Sequence, residues 1–419
     1  VQGRFETGIF NESASEINVF DTTTQRVFVT NDSDLTLDII DFSNPAEPTS
    51  VTKIDLSPFG GGVNGITIFE GLIAVAVQAN NVQENGQIVF FNTDGQVEGD
   101  PVAVGPLPDM VTFTPDGTKV LVANEGEPDD DYTVDPEGSV SIIDVETREV
   151  TTATFTAFNS QIEQLREAGV RIFGQNATVA QDVEPEFIAV SADSSTAYVV
   201  LQENNAIAVV DIEAGSISDI LPLGFKDHSQ IPLDASDRDD EINFATYANL
   251  FGIYQPDSIA AYEVNGVTYI VTANEGDSRD YGGFSEESRI EDLTLDPTAF
   301  PNAAELQLPE NLGRLEVTTT LGDTDNDGDF DELYAFGGRS FSIWEATETD
   351  IELVFDSGDQ FEQIMADTYT FDTFDFFNVS NDDNNSDSRS DNKGPESEAL
   401  AVGEINGKTY AFIGLERMG

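Results

Sequence analysis

Residues 109–125 read DMVTFTPDGTKVLVANE. An acidic residue opens a short apolar strand, Pro115-Asp116-Gly117 supplies a turn, and a second β-rich strand, KVLVAN, ends on Glu125. Alternating or continuous apolar runs this short, bounded by turn residues, predict strands rather than helices. The same unit recurs along the chain. First strands read Glu16-INVF, Asn64-GITI, Asp109-MVTF, Glu186-FIAV, Asp257-SIAA and Glu398-ALAV. Second strands read RVFVT-Asn31, LIAVAV-Gln78, KVLVAN-Glu125, AYVVLQ-Glu203, TYIVTAN-Glu275, ELYAFGG-Arg339 and TYAFIGL-Glu416. Third strands follow as LDIIDF (37–42), GQIVFFNT (86–93), GSVSIIDV (138–145), NAIAVVDI (205–212) and SFSIW (340–344).

The polar ends Asn31, Gln78 and Glu125 are 47 residues apart, within the usual period of a propeller blade. These units predict an all-β protein, a β-propeller of about seven blades forming a single domain over residues 1–419. Later spacings are longer, so insertions are expected at 146–182, 213–255 and 345–394. The first should hold a short helix around Gln161–Ala168, capped by Asn159 or Ser160. The stretch 378–391, NVSNDDNNSDSRSD, has the composition of a low-complexity linker. The seventh unit stops after its second strand, leaving that blade incomplete. Either the sequence is truncated there, or residues 1–10 or a strand donated by a partner through edge addition or self-assembly cover the open edge.

Composition narrows the function. The chain has 419 residues and 80 Asp+Glu against 17 Lys+Arg, a formal net charge of -63. Hydrophobic residues at 39% and 29 phenylalanines suffice for a core, so the chain should fold despite its charge. Salt or bound cations must relieve its self-repulsion. Phosphate backbones need a basic surface, so nucleic acid and anionic membranes are poor partners. There is no cysteine and one histidine, His228, which argues against thiolate metal sites, zinc and a Ser-His-Asp hydrolase. No apolar run approaches the length of a membrane span. An extracellular or cell-surface location is expected.

One motif points to a metal. In Asp323-Thr-Asp325-Asn-Asp327-Gly328-Asp-Phe-Asp331, oxygen ligands at positions one, three, five and nine surround a glycine that permits a tight turn, so Asp323, Asp325, Asp327 and Asp331 are expected to wrap Ca2+. Position twelve is Tyr334 rather than the bidentate glutamate of an EF-hand. A second signal is positional. First strands line a propeller's channel, so Glu16, Asp109, Glu186, Asp257 and Glu398 should converge near one mouth, with Glu125, Glu203, Glu275 and Glu416 recurring at second-strand ends. Crowded carboxylates need raised pKa values or bound cations. Glu186 and Asp257 are therefore candidates for a further channel metal, and the others for acid/base work. Strand-end capping explains them as well.

Positive charges are scarce, yet Arg279, Arg339, Arg389, Lys393 and Arg417 all fall near these ends. Arginine's planar fork suits phosphate or carboxylate. Glu125, Glu203, Glu275, Arg279, Arg389, Glu398, Glu416 and Arg417 are the candidate catalytic set for a metal-dependent phosphoesterase acting on a phosphate ester. Structural salt bridges account for the same arginines. A non-catalytic matrix or self-assembling surface protein is the alternative.

The segments VANEGEPDDDYTVDPEGSVSIID, LPLGFKDHS, YIVTANEGDSRDYGGFSEESR and SDSRSDNKGPESEALAVGEINGKTYAFIGLER closely resemble the bacterial choice-of-anchor I propeller proteins. The resemblance covers essentially the whole chain. It implies a surface-anchored propeller, akin to cell-surface glycoproteins of mineralising animals and carrying an alkaline phosphatase label in cyanobacterial members. On motif matching it singles out Glu125, Glu127, Asp135, Glu137, Glu186, Glu203, Glu275, Asp277, Arg279, Asp387, Arg389, Lys393, Glu396, Glu398, Glu416 and Arg417. Family membership does not itself establish catalysis.

Overall fold

Short strands joined by tight turns pair with their sequence neighbours, and that local preference builds most of the chain. A computed structural model describes residues 3–9, 13–15, 17–347, 349–369, 376–380 and 385–417. Glu16 lies outside the described residues. The chain divides into two compact units, one of residues 1–162, 176–199 and 209–219, the other of residues 163–175, 200–208 and 220–419.

In the first unit three four-stranded sheets follow one another, each a meander in chain order. They comprise Asn18–Asp21, Arg26–Asn31, Thr36–Asp41 and Thr49–Asp55; Gly62–Phe69, Leu72–Gln78, Asn85–Asn92 and Val102–Pro106; and Pro108–Phe113, Lys119–Asn124, Ser139–Asp144 and Val150–Thr154. Their second and third strands are nearly all buried, whereas the fourth strand of the first sheet is almost wholly exposed. Phe28, Leu37 and Ile39 pack against Val63, Ile73 and Phe91 in one core, while Ile88, Phe90, Val111 and Val120 build the next. A fourth meander runs Pro185–Val190, Thr196–Leu201, Ala206–Asp211, Ser216–Pro222.

The second unit contains the sheet Ile259–Val264, Val267–Asn274, Ser340–Ala346, Ile351–Asp356 and the hairpin Ser397–Ile405 with Lys408–Leu415. Between the second and third strands of that sheet the chain makes a long excursion. It contributes most of a mixed five-stranded sheet, ordered Phe225–Asp227, Leu250–Ile253, Leu333–Phe336, Glu316–Thr318, Glu287–Arg289. Leu250, Leu295, Phe300, Leu315, Val317 and Leu333 form its core.

Several expectations change. ELYAFGG is not the second strand of a repeat unit: Leu333–Phe336 pairs in parallel with Leu250–Ile253. SFSIW instead belongs to the preceding unit, pairing with Val267–Asn274. Each expected insertion contains a meander's fourth strand, at Val150–Thr154, Ser216–Pro222 and Ile351–Asp356, so the true excursions are shorter. The helix Ile162–Ala168 is present, but it continues from a 3-10 turn at Thr156–Gln161 and lacks the expected cap, because Asn159 Oδ1 accepts from Ala180 N at 2.9 Å. The linker-like stretch is tied down where described. Asn378 Nδ2 donates to Glu362 and Ser390, and Asn378, Ser390 and Asp391 are buried.

Candidate functional site

Two sheets repeat one local construction. In the first unit, Asn124 closes its strand by donating from Nδ2 to Ser139 and to Ser141 Oγ at 2.9 Å, with Oδ1 accepting from Gly105 N. In the second, Asn274 Nδ2 donates to Ser340 Oγ at 3.0 Å and Ser342 Oγ at 2.8 Å. The residue after each asparagine is a glutamate, and a glycine with positive φ follows, +73° at Gly126 and +96° at Gly276. A Cβ at Gly276 would lie 2.3 Å from Gly337 N, so only glycine lets the chains approach there. Glu125 and Glu275 are thus delivered to equivalent places.

Around Glu275 the second unit supplies compensation. Gln202 Nε2 donates to Glu275 Oε2 at 3.1 Å. Lys393 Nζ stands 3.5 Å from Glu275 and 3.3 Å from Asp277. Burial, with Asp277 and Glu398 adding to it, nevertheless raises Glu275 to about 7 against the opposing pull of Lys393 and Gln202. The same carboxylates overcome burial to hold Lys393 firmly protonated.

Beside them lies a second knot. Glu396 is fully buried and is clamped by two arginines: Arg389 Nε donates at 2.8 Å to one carboxylate oxygen, and Arg417 Nε donates to the other. Burial opposes its ionisation, but the hydrogen bond with Glu416 and the charges of Arg389, Lys393 and Arg417 hold Glu396 below the usual carboxylate range. Glu416 takes the opposite part. Burial, then the hydrogen bond and charge of Glu396, push it up to about 8 against the opposing charge of Arg417. Asp257 lies before strand Ile259–Val264, and Ser258 Oγ donates to both Asp257 Oδ2 and the Glu398 carbonyl.

The other candidate arginines have partners of their own. Arg279 lies with its guanidinium carbon 4.5 Å from the centroid of Phe173, whose ring also meets Arg171 at 4.3 Å, and Arg279 N donates to Glu286. The Glu203 carbonyl accepts from Arg171 Nη1 at 2.7 Å. Arg339 is buried and donates to the carbonyls of Asp234, Ser390 and Asn392 and to Glu362. His228 is buried as well, its Nδ1 3.0 Å from the Ile231 carbonyl, and burial drives its pKa down to about 3. Arg339 and His228 are framework positions.

In the first unit the carboxylate neighbourhood of Glu125 differs. Asn124 pairs with Pro108, and Glu125 N donates to the Leu107 carbonyl at 2.9 Å. Burial raises the Glu125 pKa well above the carboxylate range, and Glu186, Glu127, Asp109 and Glu184 raise it further. The candidates Glu125, Asp109 and Glu186 therefore do come together, within their own unit.

The acidic loop 323–331 joins two strands of the mixed sheet. Carboxylate oxygens of Asp323, Asp325 and Asp327 lie within 4.8 Å of one another. Asp323 receives the backbone N–H groups of Asp327 and Gly328, each at 3.1 Å, and Gly328 has φ +99°. Three of the four expected ligands are thus adjacent, a donor set that fits a hard cation. Asp331 departs from the expected set: Thr324 holds its Oδ2 through N–H and hydroxyl, and it groups instead with Asp296 and Asp329. Asp296 escaped sequence reading because the parallel bridge Leu295↔Phe330 joins distant segments.

Among the described residues no helix is long and apolar enough to cross a membrane. Blade-like four-stranded meanders carrying buried carboxylate clusters define an acidic all-β protein. The chain belongs to the choice-of-anchor I domain family, which matches residues 16–419. It is 31% identical over 270 residues to a mesenchyme-specific cell surface glycoprotein of Strongylocentrotus purpuratus, covering 57% of this chain and 34% of that protein. It is 40% identical over 110 residues to Gigasin-3a of Magallana gigas, covering 26% of this chain and 37% of that one. The matches thus span about a third of these relatives' length. Among solved structures, hydrazine synthase of Kuenenia stuttgartiensis matches with TM-score 0.37 and 12% identity over 61% of this chain and 67% of that one. Hsv2 of Kluyveromyces lactis matches with TM-score 0.35 and 15% identity over 63% and 66%. Likeness this low carries no argument here.

Proposed function

We propose that this chain is a calcium-binding β-propeller of the cell surface or extracellular matrix, acting by binding and assembly rather than by catalysis. The engagement of the cations carries this reading. Arg389 and Arg417 both clamp Glu396, and Lys393 spans Glu275 and Asp277. A phosphate ester entering here would have to displace buried carboxylates from these partners, which costs more than a surface exchange. The surface location draws on the name of the Strongylocentrotus purpuratus relative, a cell surface glycoprotein.

In this reading Asp323, Asp325 and Asp327 hold Ca2+, and the ion offsets the desolvation and, after it, the repulsion from Asp327 and Asp331 that raise Asp325. The hairpin 397–415 forms the inner pair of a further blade. Calcium titration by calorimetry tests the proposal: Asp323→Asn with Asp325→Asn and Asp327→Asn should remove one bound ion. At free calcium about 100-fold above Kd, that ion stabilises the fold by about 2.7 kcal/mol. Calcium-dependent turnover of a generic phosphomonoester or phosphodiester, lost in a Glu275→Gln, Arg279→Ala double variant, would establish the phosphoesterase instead.

A further inference from the structure

The hairpin Ser397–Ile405 with Lys408–Leu415 is tied to its unit at one end. Its first strand packs on the pair Ile259–Val264 and Val267–Asn274. Ser397 Oγ donates to the Ser340 carbonyl at 2.7 Å, and Ser258 Oγ donates to the Glu398 carbonyl. Just past the second strand, Glu416 N donates to the Glu396 carbonyl at 2.8 Å. Away from that end every residue from Lys408 to Phe412 is exposed, and Ile405, Tyr410 and Phe412 present large apolar side chains to solvent. A two-stranded hairpin has little stability of its own, so its seat depends on the tied end.

The side chains at that end form one charged knot. Arg417 Nη2 lies 3.2 Å from Glu416 Oε2 while Nε of the same side chain donates to Glu396, so one guanidinium serves two carboxyl groups. Arg389 takes the other oxygen of Glu396, and Lys393 lies between Glu275 and Asp277. Glu398 adds its charge to Glu275 from the hairpin's first strand, and Asp257 accepts from Ser258 Oγ where the neighbouring strand begins. Glu275, Asp277, Glu396 and Glu416 thus stand against three cations, Arg389, Lys393 and Arg417, with Glu398 as a further anion. Carboxyl groups in excess of their cations favour holding a proton. Glu396 receives two guanidinium groups, whereas Glu416 has a part of one. Glu416 is therefore the member that the geometry leaves least compensated.

We infer that Glu416 is a pH-operated latch on this hairpin: protonated, it lets the hairpin seat on Ile259–Val264, and ionised, it sets a second negative charge against Glu396 and loosens the seat. The direction follows from linkage. Burial and Glu396 raise Glu416 to about 8 from 4.5, so the carboxyl binds its proton more tightly in the seated hairpin than in the released one. The seating it contributes is full below about pH 4.5 and is lost as pH rises through 8. Glu275, at about 7, works in the same direction. No bound ion enters the latch, which is independent of the loop 323–331.

Hydrogen exchange read by mass spectrometry tests this on the full chain at constant calcium, from pH 5.5 to 8.5, with each amide corrected for its intrinsic rate. Peptides from 397–415 are expected to lose protection by roughly tenfold or more across that range. The mixed sheet at Leu250–Ile253 and Leu333–Phe336 should keep its protection. Glu416→Gln, uncharged and nearly isosteric, should hold the hairpin at its protected level throughout, and Glu416→Met serves in its place should the glutamine variant not fold. A hairpin whose protection ignores pH overturns the inference, whatever the variants do. So does a fall that persists undiminished without the Glu416 carboxyl, or one that the mixed sheet shares in full, because the whole unit is then loosening rather than the hairpin.

Discussion

Asn124-Glu125-Gly126 and Asn274-Glu275-Gly276 are the same construction in two electrostatic settings. Both asparagines tie a second strand to serines of the third, and both glycines turn the chain with positive φ. Glu275 is then met by Lys393 and Gln202, beside Glu396 with its two arginines. Glu125 is met by carboxylates. A repeated backbone therefore delivers a glutamate to a set place, and what the glutamate does there depends on the side chains brought from elsewhere.

The largest effect should come from removing the compensation. Glu396→Ala leaves Arg389 and Arg417 facing each other without their shared anion and should cost about 3–5 kcal/mol of unfolding free energy in urea. Glu125→Gln should cost nothing, because it removes a charge met by other carboxylates, and equal losses at the two sites would erase the contrast between them. Below that come the shared parts. Asn124→Ala and Asn274→Ala each strip buried hydrogen bonds from two serines and should each cost about 1–3 kcal/mol. A clear inequality between them would mean that the two constructions are not equivalent.

Smaller and pH-dependent is the contribution of the raised carboxyls. Glu275 stands at about 7 and Glu416 at about 8, both above the ordinary 4.5. Their folded forms bind protons more tightly than the unfolded chain does. The stability they contribute is full below about pH 4.5 and is lost as pH rises through 7 and 8. Melts of Glu275→Gln and Glu416→Gln across pH 5–9 should be flatter than those of the wild type, and an unchanged slope would show that neither group titrates in this range. Least affected should be exposed pairs such as Arg4 with Glu6, whose removal should fall within about 1 kcal/mol.

Most strands were legible because their signal is local. Lys119–Asn124 and Val267–Asn274 announce themselves by apolar runs and by the turns beside them. ELYAFGG carries the same signal and was misplaced, since nothing in it reveals that its neighbour is a parallel strand at 250–253. Linker-like composition misled at 378–391 for a related reason. Polar residues such as Asn378 and Ser390 are ordered by hydrogen bonds to each other and to Glu362 that composition does not record. Of the candidate site, Glu275, Glu398 and Glu416 are readable from recurring strand positions, and Arg389 and Arg417 from the scarcity of positive charge. Glu396, the anion that holds two of them, ends no second strand and was singled out only by the family resemblance.

By itself, then, the sequence determined the meanders, the position of each glutamate at a strand end, and the acidic loop at 323–331, because β-pairing, turns and short-range ligand spacing are decided within a few residues. Only the tertiary structure decided which of those glutamates meets a cation. Lys393 lies 118 residues from Glu275, and such a partner is chosen by how sheets and excursions pack, not by the pattern around either residue.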